Sequence, residues 1–399
     1  MDENAHVSIP ALSLMKRVVF IIPHMGIGGT ERSLISLLNC MPPGVFDITV
    51  ITFVPGGDLL SELPSHVTVI CDKEFEKKER IRALMSRNAK TLMKGKLFSF
   101  MKSGYHKFGR VLLARKKTSE AKTYEIAIAY ADGLATWYTA NRISAKHKIA
   151  FVHTDFSLAQ YDSSTENKVY CAFSEIFFDS VAARQRFLSV LPQFESKSLV
   201  LPNIIDAEKV RRLACQEQPQ FCKDGKISIL TVGRLSHEKG VLKIPTVLQM
   251  LQAHGEHVIW YIIGDGPERK RIQDLSIKLH VEDMIAFLGL KSNPYPYMKN
   301  CDIYVQPSDY EGYCISLAEA RILAKPIVTC RFAGAEEQIC NGKNGFVTDM
   351  QAKDIFESIS RLIHDENLRT AFSKQLADDW EICGKKAATA WWQDLSNMG

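Results

Sequence analysis

The chain is predicted to be α/β, with two doubly wound domains, and three features of its 399 residues carry that expectation. Apolar strand-like runs alternate with helix-like patterns along most of the length, the signature of parallel sheets covered by helices on both faces. The length, with 46% hydrophobic content, exceeds what one ordinary core accommodates. It suits two domains of under about 200 residues each. Turns bearing glycine and charge follow several of the strand-like runs, at the end where open parallel sheets bind ligands.

In chain order, residues 1–14 precede the run Met15-Lys16-Arg17-Val18-Val19-Phe20-Ile21-Ile22 and read as an N-terminal extension. A first domain is expected over 15–202, with strands at 18–22, 48–53, 67–71, 126–130 and 149–152. Pro202-Asn203-Ile204-Ile205-Asp206 reads as the hinge. The second domain is expected over 203–378, with strands at 227–232, 258–263, 303–305 and 326–329. Residues 379–399 carry Trp380, Trp391 and Trp392 at helix-compatible spacing, which suits core or interdomain packing better than stacking on a ligand.

Charge is unevenly distributed. Residues 73–122 hold sixteen Lys or Arg against four Glu, a net of +12, so a whole chain of +5 leaves −7 for the remainder. Apolar residues from Ile81 to Leu112 recur in that segment at roughly helical intervals, as in a basic amphipathic helix pair. Such a segment either lies on an anionic bilayer, where each Lys or Arg contributes about 1 kcal/mol, or packs on the first domain with a solvated charged face. The membrane reading is preferred. No module for nucleic-acid binding accompanies the charge. Ten cysteines without a CxxC pair read as reduced thiols rather than as a zinc site or disulfide framework. No apolar run approaches the roughly 18 residues of a membrane span, and the start lacks a signal-peptide pattern.

The chemistry concentrates in Tyr310-Glu311-Gly312-Tyr313-Cys314-Ile315-Ser316-Leu317-Ala318-Glu319-Ala320. Ser316 and Glu319 have capping-box spacing and predict a helix starting at Ser316. Gly312 lets the chain turn closely, and the amides of Tyr313, Cys314 and Ile315, with the helix dipole behind them, suit phosphate oxygens. Glu311 then lies in the loop, and Glu319, one turn inside, is left to reach a polyol such as a ribose. Two carboxylates beside a phosphate require cations. Arg234 and Lys239 supply them, directly after the strand at 227–232. Arg234 offers a planar fork and Lys239 a point charge, each charge-assisted bond contributing about 1.5–3 kcal/mol. Alone they would be an ordinary basic turn. Met25-Gly26-Ile27-Gly28-Gly29-Thr30 lacks the GxGxxG spacing and the later acidic ribose ligand, which disfavours a dehydrogenase. No DxD triplet is present to chelate a metal.

These residues together resemble glycosyltransferase family 4, retaining enzymes of GT-B fold among the group 1 glycosyl transferases. The resemblance runs from Met15 onward through Gly28-Gly29-Thr30-Glu31, Phe151-Val152-His153, the hinge, Gly233-Arg234, Lys239-Gly240, Ile263-Gly264-Asp265-Gly266-Pro267, Phe287-Leu288-Gly289, Glu311-Gly312, Glu319-Ala320 and Gly345-Phe346-Val347. It implies two Rossmann-like doubly wound domains facing a central cleft and a C-terminal helix returning to the first. It implies that Arg234 and Lys239 grip the donor diphosphate, Glu319 the ribose and Glu311 the hydroxyls of the transferred sugar. Gly28, Gly29, Gly233, Leu290, Gly312, Tyr313, Cys314 and Ile315 would complete the donor site. His153 would lie beside the donor sugar, using its carbonyl and its ring, with Thr154 and Asp155 orienting it. Asp155 and Asp132 are candidate acceptor contacts. The chain departs from the family at Cys314, where a glycine or small residue is more usual, and at Ala324-Lys325-Pro326, where a glycine is usual near the helix end.

The expected function is retaining, metal-independent transfer from a nucleotide diphosphate sugar, preferably a UDP-sugar, with Glu311, His153, Arg234 and Lys239 at the reacting centre and no cofactor. The acceptor is expected to be a glycan or lipid-linked glycan of a bacterial surface polysaccharide, met at the cytoplasmic face of the plasma membrane through residues 73–122. The alternatives are a nucleotide-sugar epimerase of the same architecture and a non-catalytic carbohydrate-binding protein.

Overall fold

The computed structural model describes residues 15–72, 123–157, 162–216, 219, 221, 225–378 and 385–398. The expected extension at 1–14, the basic segment 73–122 and Trp380 lie outside them.

Two parallel sheets form the body. The first contains β1 (Lys16–Ile21), β2 (Phe46–Thr52), β3 (Thr68–Cys71), β4 (Tyr124–Ala129), β5 (Ala145–Val152), β6 (Glu175–Phe178) and β7 (Ser198–Val200), in the order β3-β2-β1-β4-β5-β6-β7. The second contains β8 (Ile227–Val232), β9 (Val258–Ile263), β10 (Ile285–Gly289), β11 (Ile303–Gln306), β12 (Ile327–Cys330) and β13 (Phe346–Thr348), in the order β10-β9-β8-β11-β12-β13. In each sheet the order reverses between the first strand and the fourth, which opens a crevice at the carboxyl ends of β1 and β4, and of β8 and β11. The central strands β1 and β8 are buried along most of their length, with Val18-Val19-Phe20-Ile21 in one and Ile229-Leu230 in the other, because helices cover both faces. Each sheet accordingly has two apolar clusters, built in the first domain around Phe20, Ile48 and Ile128 and around Ile21, Ala127 and Phe178.

Four strands go beyond the sequence expectation: β6, β7, β10 and β13. They are three to five residues long. Segments that short have no periodicity to read, and pairing with β5, β6, β9 and β12 defines them.

The chain passes from the first sheet to the second through residues 201–206. It returns as helix Lys385–Asn397, which lays Trp391 and Trp392 into the first-domain core. The Trp392 ring lies 5.0 Å from Phe46, and its Nε1–H donates to the Leu37 carbonyl at 2.9 Å.

Candidate active site

The two sets of strand ends face one another across a cleft of about 430 Å³. Gly28, Gly29, His153, Gly233, Arg234, Lys239, Leu290, Glu311, Gly312, Tyr313, Cys314, Ile315 and Glu319 all line it. These groups singled out from sequence thus converge on one space, although they follow five different strands, β1, β5, β8, β10 and β11.

Lys239 and Glu311 form the centre of the second-domain wall. Lys239 Nζ lies 2.5 Å from Glu311 Oε1, which also accepts from Ser308 Oγ at 2.8 Å. Gly240 makes this approach feasible. Its φ of +62° suits glycine, and a Cβ there would fall 2.0 Å from the Pro307 carbonyl oxygen. Burial disfavours the Lys239 ammonium, but the pull of Glu311, the hydrogen bond to it and the pull of Glu238 outweigh this, so its pKa sits above the usual lysine value. An ammonium has three donors, so two remain for phosphate oxygens after the bond to Glu311. Arg234 stands exposed on the same wall.

The turn after Gly312 corrects one expectation. The helix spans Ile315–Ile322, capped by Cys314 at φ +70° with no side-chain capping bond. Ser316 and Glu319 do not form a capping box, because tertiary partners draw both side chains away. Ser316 Oγ donates to Gln306 Oε1 at 3.3 Å, and Glu319 Oε1 accepts from Tyr295 O–H at 2.7 Å. The helix N-terminus therefore has no side-chain cap and opens on the cleft, the arrangement that receives anions. Cys314 and Ala324 both hold left-handed backbone, at φ +70° and +52°. Both lie where the chain departs from the pattern it resembles, and the conformation is kept at a cost of about 1–2 kcal/mol each. Burial, aided by Glu311, pushes the Cys314 thiol up to about 12, which keeps it protonated.

Glu319 lies deeper than expected. It is 5% exposed, and burial raises its pKa despite the opposing influence of Arg32 and Tyr295. Arg32, from the first domain, donates to Tyr295 Oη at 3.0 Å and to the Ser292 carbonyl at 2.8 Å. Arg32 and Tyr295 were not singled out from sequence. They join the domains beside the cleft, which Arg32 lines.

His153 follows β5 at the cleft edge, but Asp179 faces its ring instead of Asp155. His153 Nδ1 lies 3.7 Å from Asp179 Oδ2. Asp155 is taken up by Ser157 Oγ at 2.6 Å and Arg186 Nε at 3.5 Å, and Asp132 accepts from Thr154 Oγ1 at 2.9 Å. Asp155 and Thr154 still line the cleft on the first-domain side. Among the described residues no cluster of His, Cys, Asp and Glu has the arrangement of a metal site.

Next to Gly28 and Gly29, His24 Nδ1 lies 2.9 Å from Glu31 Oε1, and Glu31 is 5% exposed. The hydrogen bond to Glu31 raises the His24 pKa, outweighing burial and nearby Arg234. A histidine whose folded pKa is raised contributes stability that is fully present below the unfolded value of about 6.5 and lost as pH rises through the folded value. His24→Gln should therefore lower Tm at about pH 6 and change it little at about pH 9. Thermal unfolding across that range checks this; parallel wild-type and variant curves would mean that the pair contributes no such linkage.

The paired sheets and cleft define a GT-B fold. The second domain is recognisable at family level as well: residues 216–378 match the model described as "Glycosyl transferases group 1". The N,N'-diacetylbacillosaminyl-diphospho-undecaprenol alpha-1,3-N-acetylgalactosaminyltransferase of Campylobacter jejuni is 31% identical over 157 residues, 39% of this chain and 40% of that protein. The capsular polysaccharide biosynthesis glycosyltransferase CapM of Staphylococcus aureus is 26% identical over 169 residues, 42% of this chain and 44% of its own length. The chain thus spans about half the length of the curated relatives it matches. Over the whole chain the fold is similar to Anabaena HepE in complex with UDP, with TM-score 0.69, 16% identity and 96% and 99% coverage. It is equally similar to S. aureus TarM, with TM-score 0.69, 14% identity and 97% and 100% coverage.

Proposed function

We propose that the protein is a retaining glycosyltransferase that moves a sugar from a nucleotide diphosphate sugar, preferably a UDP-sugar, to a hydroxyl of a glycan or lipid-linked glycan in bacterial surface polysaccharide assembly. Lys239 carries this reading: it is held by Glu311 on the cleft wall, with two N–H donors to spare, beside Arg234 and an open helix N-terminus. Diphosphate oxygens are the ligand such a wall suits, and Glu311 places a carboxylate next to whatever the diphosphate bears. Arg234, Lys239 and the helix amides stabilise the leaving diphosphate as charge develops on it, and no metal is required. Glu311 is tied to Lys239 and Ser308, which suits it to steadying an oxocarbenium-like transition state and not to attacking the sugar. Leaving phosphate and incoming hydroxyl then share one face of the sugar, and the phosphate takes the nucleophile's proton.

UDP in the complex of the similarly folded HepE supports uridine as the base. The diphospho-undecaprenol named for the Campylobacter relative supports a lipid-linked acceptor. Among the described residues no helix is long and apolar enough to cross a membrane. The +12 segment at 73–122 would hold the enzyme peripherally on the anionic cytoplasmic face of the plasma membrane.

A thermal-shift panel of nucleotides and nucleotide sugars tests the proposal, because a ligand at 100 times its Kd stabilises the folded state by about 2.7 kcal/mol. UDP and one UDP-sugar should raise Tm clearly, and Arg234→Ala and Lys239→Ala should abolish the shift. A panel without any stabilising nucleotide would remove the donor assignment.

A further inference from the structure

One buried carboxylate on the cleft has no task in the reaction outlined above. Asp179 follows β6, is 4% exposed and lies in the cleft lining. Its Oδ2 accepts from Asn203 Nδ2 at 3.2 Å and faces His153 Nδ1 at 3.7 Å. Its Oδ1 is buried with no hydrogen-bond partner, and so is His153 Nε2 on the neighbouring ring. Buried polar atoms are nearly always satisfied, so two orphans on adjacent side chains of one cleft point to a missing ligand.

Helix capping does not account for Asp179. It precedes helix Val181–Val190, where an acid would favour the dipole, but the first amides are already taken. Ser180 Oγ accepts from the Ala183 amide at 3.0 Å, and Glu337 from those of Val181 and Ala182 at 3.2 and 2.8 Å. Asp179 is instead held from behind. Ser33 Oγ donates to Asn203 Oδ1 at 2.5 Å, which turns the Asn203 amide nitrogen toward the carboxylate. Tyr130, bonded to the same Ser33, places its ring 5.0 Å from that of His153.

A carboxylate facing Nδ1 favours the proton there and leaves Nε2 of the neutral ring as an acceptor. Asp179 Oδ1 is an acceptor as well, so the ligand must bring O–H or N–H donors. Asp179 Oδ2 lies 3.0 Å from the position a Cβ on Gly312 would take, and Gly312 directly follows Glu311 in the chain.

We infer that Asp179 and His153 form a sugar-recognition subsite in which Asp179 Oδ1 accepts a hydrogen bond from a hydroxyl of the transferred sugar. The inference rests on the glycosyl-donor reading and extends it to specificity: the donor carries a hydroxyl at that position, and its deoxy analogue is rejected. Sites built to bond a substrate hydroxyl reject the analogue lacking it by up to about 10⁴–10⁵-fold.

The test is calorimetric titration of wild type, Asp179→Asn and Asp179→Ala with UDP, GDP, their glucose, galactose, mannose and N-acetylhexosamine conjugates, and the monodeoxy analogues of the best donor. The variants should bind that donor at least about tenfold more weakly, as expected for one lost charge-assisted hydrogen bond, while the bare nucleotide keeps its affinity within about twofold. One monodeoxy analogue should bind wild type and variant alike. If Asp179→Ala does not fold, the isosteric Asp179→Asn carries the comparison. Equal losses for nucleotide and donor, or equal losses across all deoxy analogues, would reduce Asp179 to a structural residue and overturn the inference. Failure of the wild type to bind any nucleotide would instead remove the donor reading on which the inference stands.

Discussion

Glu311→Gln is expected to lower transfer by at least about 10²-fold while the nucleotide diphosphate binds as well as before or better, an effect of the size seen when one preorganised electrostatic group is removed from a reacting centre. Glu311 Oε1 lies 2.5 Å from Lys239 Nζ and 2.8 Å from Ser308 Oγ, so the carboxylate is both placed and neutralised before any ligand arrives. The amide keeps the shape and one acceptor but loses the negative charge that steadies a developing oxocarbenium. Lys239 then faces burial without its main partner, which costs the empty protein stability, by less than the 3–5 kcal/mol typical of a fully buried broken pair because Lys239 remains partly exposed. A diphosphate restores the missing negative charge, so nucleotide binding should recover part of the lost Tm. Lys239→Ala separates the two roles, because it should weaken nucleotide binding and turnover together. Turnover, nucleotide Kd and Tm for both variants check this, and wild-type turnover in Glu311→Gln would end its assignment to the reacting centre.

How much of this site could be read without coordinates depends on whether a residue's partners are near it in the chain. Arg234, Lys239, Glu311 and the amides after Gly312 are local: each follows an apolar run at the carboxyl end of a strand, and strand ends are where parallel sheets bind ligands. The capping box was equally local and still misread. Ser316 and Glu319 have partners at Gln306 and Tyr295, and those tertiary bonds outweighed the cap. Arg32 and Asp179 were missed for the complementary reason. Their meaning lies in Tyr295, Ser292, Asn203 and His153, which no spacing rule connects to them. A signal did exist for each. Arg32 stands beside the glycine turn at the start of the helix that continues Ser33-Leu34-Ile35, and Asp179 ends the apolar run Ile176-Phe177-Phe178. An acid at such an end belongs among the site candidates.

Gly312→Ala should leave each domain folded and yet reduce transfer by about 10²-fold, because the methyl group has nowhere to go between the domains. Gly312 belongs to the second domain, and a Cβ there would sit 2.5 Å from the His153 carbonyl oxygen and 3.0 Å from Asp179 Oδ2, both in the first. Those neighbours are a backbone oxygen and a tethered carboxylate, so neither can swing aside. The contact is fixed from both sides: Ser180 Oγ donates to the Gly312 carbonyl at 3.1 Å, and Glu337 accepts from the Val181 and Ala182 amides. Ordinary van der Waals distance requires the domains to separate by about 1 Å, and a displacement of that size at a reacting centre is worth roughly two orders of magnitude in rate. Folding should suffer less, since the cores lie within the separate sheets and Gly312 contributes no buried side chain to them. Lower turnover with near-wild-type Tm and intact nucleotide binding is the expected pattern. Retained turnover would mean that transfer proceeds with the domains further apart than they stand here, and His153 and Asp179 would then be too distant from Glu311 to share one sugar with it.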